Sequence, residues 1–157
     1  MVISQPENKN SEFGRYEIWW VVGLIVIGLT LRFFRISYWS IWIEENHLMR
    51  DVQIYMETFS AIYNNPRPIF YLLVLPFFNG FGVDLGIARM VSSVIGIISI
   101  PLLYILSRRA LGRQIALIAT FLFVFAPWHI FWSQNARFYT LLLVFYSLSY
   151  VFFYLTL

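Results

Sequence analysis

The 157 residues contain no cysteine, and charged side chains make up only 12% of them. The first absence excludes a disulfide framework, a thiolate zinc site and a cysteine nucleophile. The second goes with 60% apolar residues and a mean hydropathy of +0.71. Soluble chains carry about 45–50% apolar and about 25% charged residues, so an ordinary soluble domain is excluded and lipid is the expected solvent. No Gly-rich phosphate loop is present. The net charge of +3 does not mark a nucleic-acid binder, because Arg108, Arg109 and Arg113 lie in one short turn between apolar runs, a topology signal.

What is there is a series of apolar segments, which predicts an all-α, polytopic membrane bundle of about four transmembrane helices. Crossings are expected at about residues 18–36, 86–107, 114–132 and 138–157, each near the roughly 20 residues a bilayer requires. In the first, Trp19 and Trp20 mark one headgroup level, and Arg32 and Arg35 are read as snorkelling at the other. The polar residues 1–17 lack the basic start and cleavage site of a secretory signal and read as a cytoplasmic tail. The run 69–79 is too short to cross and holds Pro76, so it reads as re-entrant or interfacial. Placing the arginine turn inside puts residues 37–85 outside as one large loop carrying Glu44, Glu45, Asp51, Glu57 and Asp84 against Arg50 and Arg67. The last crossing is still apolar at Leu157.

Within that loop Asn46, Arg50, Gln53, Glu57, Ser60 and Asn64 recur at steps of three and four, opposite Leu48, Val52, Tyr55, Met56, Phe59, Ile62 and Tyr63. This period predicts one amphipathic helix over about 44–64, lying in the membrane interface. Glu44 and Glu45 open it. Carboxylates in a first turn complement the helix dipole, and at headgroup depth they could equally accept a proton from a substrate hydroxyl; both readings stand at this point. Glu44, His47 and Asp51 share a helical face and are weak candidates for holding a divalent cation, against the simpler reading of a solvated polar edge. His129, between Trp128 and Trp132, reads as a packed histidine of an aromatic belt before a ligand. Gln134 and Asn135 suit helix ends, and Arg137 suits a headgroup anchor as well as a phosphate ligand.

Four segments taken together resemble the C-type membrane glycosyltransferases, most closely family 39, the protein O-mannosyltransferase and aminoarabinose-transferase group. They are SIWIEENHL, NNPRPIFYLLVLPFFNGFG, LGIARMVSSVIGIISIPLLYILSRRALGR and FAPWHIFWSQNARFYTLL. The order matches from about Leu31 onward, and the chain corresponds to the amino-terminal part of such a protein. The resemblance implies inverting transfer of a sugar from a polyprenyl-phosphate carrier to a protein, lipid or polysaccharide hydroxyl on the outer face of the membrane. A prokaryotic plasma membrane is the expected setting, with no nucleic acid and no cofactor beyond a divalent cation. It implies a catalytic base at Glu44, where the family usually has aspartate, with Glu45 beside it. Arg137 and Arg67 would hold the donor phosphate, and His129, Gln134, Asn135 and Tyr139 would line the site. Asn135 stands where the family commonly has an acid. The rival expectation is a non-catalytic membrane subunit or truncated piece that binds lipid or a partner. A transporter is disfavoured, since no charge is expected at the middle of a crossing.

Overall fold

A computed structural model of the chain describes residues 14–65 and 68–156, and every regular element among them is helical. Helix α1 (Arg15–Phe33) starts where Glu17 turns back to accept the Gly14 amide at 3.2 Å, half of a capping box. Its outward residues Val22, Val26, Ile27 and Leu29 are exposed and apolar, an arrangement that suits lipid and not water. Helix α2 (Ile43–Glu57) is followed by a 3-10 turn, Phe59–Asn64. Helix α3 (Pro68–Phe81) leads to the long α4 (Leu85–Leu111). Asp84 starts α4 by accepting the Ile87 amide at 3.2 Å, and Gly112, at φ 85°, stops it in a conformation that costs glycine little. Helices α5 (Arg113–Val124), α6 (Pro127–Ser133) and α7 (Tyr139–Thr156) complete the chain.

Helix α4 is the central post, packed by α1, α3, α5, α6 and α7. Its inward face is built of small residues, Ala88, Ser92, Ser93, Gly96 and Ser99, which let neighbouring backbones come close. A β-carbon at Gly96 would collide with the Ser133 side chain of α6. The main apolar core joins α2 and α3 to the first turns of α4 through Leu48, Val52, Phe70, Val74, Phe78, Ala88 and Val91.

Two helices, Tyr16–Phe33 and Leu85–Leu111, are long and apolar enough to cross a membrane. The expected third crossing, 114–132, is not one straight helix. It breaks between α5 and α6 with a bend of 58°, because Pro127 supplies no amide to continue α5 and instead opens a new helix at its first turn. Counting that pair as one span gives three; α3 and the apolar part of α7, Tyr139–Tyr150, are shorter. The single helix expected over 44–64 also divides. Its backbone leaves the helical region at Thr58 (φ −133°, ψ 85°) and resumes as the 3-10 turn. The stripe survives in part: Leu48, Val52, Tyr55 and Ile62 are buried while Met56, Phe59 and Tyr63 are exposed.

At one end of the bundle the buried Glu17 receives Tyr104 Oη, Arg108 and, at 3.7 Å, Arg113. The start of α1 and the arginine turn therefore lie at the same end. Residues 133–137 and the start of α2 gather at the other.

Candidate functional site

The segment Ile36–Trp42 leaves α1 without regular structure, so several of its carbonyls need partners. Arg89, one turn into α4, supplies them. Its Nη1 donates to Ile36 O (3.1 Å) and Trp39 O (2.9 Å), and Nη2 donates to Ser40 O (3.2 Å). Nε and Nη2 close a two-pronged bond to Glu45 at 2.9 and 2.7 Å. All five guanidinium N–H groups are thereby used, with both side chains fully buried. Glu45 also accepts the Trp42 amide at 3.1 Å and the Ala136 amide at 2.8 Å. Burial would raise its carboxyl, but the Arg89 guanidinium and those two amides outweigh it and hold the pKa below the ordinary value. With four donors the Glu45 carboxylate is full, and it has no lone pair left for a substrate.

Glu44, its neighbour, points the other way. Its side chain is 45% exposed and faces Arg137 Nη2 across 4.0 Å. Arg137 is held from both sides. Ser92 Oγ bonds its backbone at 3.2 Å, and its guanidinium lies 5.7 and 5.5 Å from the Phe138 and Tyr139 ring centres, a cation–π arrangement. The pair forms the divide between two small clefts. One, of about 50 Å³, is walled by Trp42, Trp132, Asn135 and Tyr139; the other, of about 20 Å³, by Leu48, Phe70, Tyr71, Ala136 and Phe138. Among the residues expected at the site, Glu44, Asn135, Arg137 and Tyr139 are brought together. Trp42 and Trp132 join them without having been expected.

His129 and Gln134 lie behind this surface. Arg32 is not a snorkelling residue as its sequence position suggests: it is fully buried and donates to His129 Nδ1 at 2.7 Å and to Gly28 O at 3.1 Å. A guanidinium cannot accept, so Nδ1 is the acceptor and the hydrogen of His129 is on Nε2. Nε2 faces Ser99 Oγ at 3.2 Å, which in turn donates to Gly96 O at 2.7 Å. Gln134 caps the end of α1, donating to Leu31 O and Phe34 O at 2.9 and 3.0 Å. Both residues fix the site's frame.

The weak cation set does not assemble. Among the described residues no three of the His, Asp or Glu side chains converge; Asp51 pairs with Arg50 at 3.0 Å and accepts from Tyr71, while His47 is exposed. Arg67 lies outside the described residues. No family model matches the chain, and no curated protein or solved structure matches it.

Proposed function

We propose that the chain carries the first acidic loop and part of the donor site of a membrane glycosyltransferase, one that moves a sugar from a polyprenyl-phosphate carrier to an acceptor hydroxyl. The observation that carries this reading is the pairing of a half-exposed carboxylate, Glu44, with a guanidinium, Arg137, from a segment far along the chain. The two residues come from the two segments in which the sequence resemblance places a base and a phosphate ligand.

In an inverting displacement the acceptor O–H gives its proton to Glu44 as its oxygen bonds to the anomeric carbon. The bond from that carbon to the carrier phosphate breaks, and the electron pair leaves on the phosphate oxygen. Arg137 faces the developing negative charge with up to two donors. Glu45 is assigned no proton transfer; it positions Glu44 by locking the first turn of α2 to Arg89 and Ala136. On this reading α1, α4, the bent α5–α6 pair and α7 are the crossings, and α2 lies in the outer interface.

The test is transfer by the full-length protein with polyprenyl-phosphate sugars in proteoliposomes. Glu44→Gln is expected to lower turnover by about 10²–10⁴-fold, the usual contribution of a general base, with unfolding temperature unchanged. Undiminished transfer by that variant removes the base from this loop.

A further inference from the structure

Both clefts touch Glu44 and Arg137, yet their walls differ in kind. The smaller is lined by hydrocarbon and Tyr71, and through Phe70 and Phe138 it adjoins an apolar groove bounded by Pro68, Leu141 and Phe145. The larger sets two indoles and a phenol beside a carboxylate, a guanidinium and a carboxamide. Its aromatic wall is braced. Trp132 lies 4.2 Å from Tyr139 and 5.1 Å from Phe131 between ring centres, and Trp42 meets Phe131 edge-on at 5.9 Å. Asn135 is held by its bond to Phe131 O at 2.7 Å.

We infer that this aromatic cleft is the subsite for the donor's sugar ring, with Trp132 as the face on which the ring lies; the inference rests on the glycosyltransferase reading above. A pyranose has an apolar face of axial C–H groups and a polar rim of hydroxyls. A rigid aromatic plane takes the first, and flanking hydrogen-bonding groups take the second. Trp132 is the part-buried indole of the wall, and its ring contacts link Tyr139 on the Arg137 side to Phe131 on the Trp42 side. The space is about 50 Å³, too little to enclose a whole ring. It therefore receives one face of a ring, and because Glu44 and Arg137 line the same cleft, a ring seated there has the reacting pair at its edge. The smaller cleft, at about 20 Å³, has less room and no indole face on which a ring could lie.

The experiment compares two ligands on the full-length protein in detergent: geranyl phosphate, and geranyl phosphate bearing mannose, glucose or aminoarabinose. The chain is common to both and the phosphate changes only from monoester to diester, so the change in the ratio of dissociation constants between wild type and a Trp132 variant isolates the sugar contact. Wild type is expected to prefer at least one sugar-bearing ligand. Trp132→Leu should reduce that preference about tenfold while binding geranyl phosphate as wild type does. Trp132→Phe, which keeps a ring face, should recover most of it. A preference retained in full by Trp132→Leu, or an equal loss for both ligands, overturns the assignment and leaves the glycosyltransferase reading in place. If wild type binds neither ligand, that reading falls and the subsite falls with it.

Discussion

The two ends of the bundle solve the same problem, a buried carboxylate, and only one of them sets a second, half-exposed carboxylate beside it. At the arginine-turn end Glu17 is surrounded by Tyr104, Arg108 and Arg113; what reaches outward there is the half-exposed Arg113, a cation, while the carboxylate itself stays buried. At the other end Glu45 is as fully occupied by Arg89 and two amides, but one residue earlier Glu44 stands half-exposed opposite Arg137. A saturated network holds helices together; an unsaturated pair of opposite charges at a cleft can do chemistry. The difference also explains why adjacent glutamates have separate tasks: successive positions on a helix face about 100° apart, given 3.6 residues per turn.

The largest expected effect breaks the saturated side. Arg89→Met strands a buried carboxylate and should cost about 3–5 kcal/mol, read as a fall in unfolding temperature of the purified protein. Pairing it with Glu45→Leu should return part of that loss, since the buried charge is then gone while the carbonyls and amides the pair served stay without these partners. A mild effect of Arg89→Met alone would mean that the clamp is not structural. Next, Gly96→Val forces α4 away from Ser133 and should cost about 1–3 kcal/mol by overpacking, whereas Gly80→Val, where a β-carbon meets nothing, should cost less.

Acid sharpens the contrast further. Because the folded Glu45 carboxyl lies below its ordinary 4.5, its stabilising contribution is complete above that value. It is lost as pH falls through the lowered folded value. Wild-type unfolding temperature should thus drop in acid, and the drop should be smaller in Glu45→Gln, although that variant starts lower at neutral pH. Equal slopes in the two proteins would contradict the assignment. The smallest effect concerns Arg35, which holds φ 55°. Arg35→Gly should change stability by less than about 1 kcal/mol, relief of the left-handed backbone being offset by a more flexible unfolded chain.

Apolar period and length were enough to read the helical class and the start of α2 near Glu44; that Glu44, Asn135, Arg137 and Tyr139 would share one site was an expectation of the resemblance alone, which no local rule supplied. Local rules missed what is made by distant partners. Arg89 sits in GIARMVSS, one turn inside an apolar run, and a charge there was itself a signal that a buried partner exists. Its partner, Glu45, lies 44 positions away and carries no mark separating it from Glu44. The break at Thr58 lacks a proline or glycine, and the polar stripe runs on through the 3-10 turn, so periodicity could not find it. Pro127 was visible, but an apolar run on both sides masked its effect as a bend. Trp132 read only as a neighbour of His129 in an aromatic belt, a use that needs the same residue type at the same depth, and Trp42 carried no reading of its own.

The link between Arg32 and His129 has a consequence for how the chain is made. The two are 97 positions apart, so when α1 emerges from the ribosome its buried cation has no histidine to meet. Only the Gly28 carbonyl of its own helix is at hand. An arginine alone at the centre of an inserting helix costs about 2.5–3.5 kcal/mol, and less toward the ends. The first helix is therefore expected to sit shallow, with its guanidinium among headgroups, until α6 is synthesised and draws it inward. Ribosome-bound chains halted before residue 129 should leave a cysteine placed beside Arg32, at position 31, open to a water-soluble thiol reagent, and chains halted well beyond it should not.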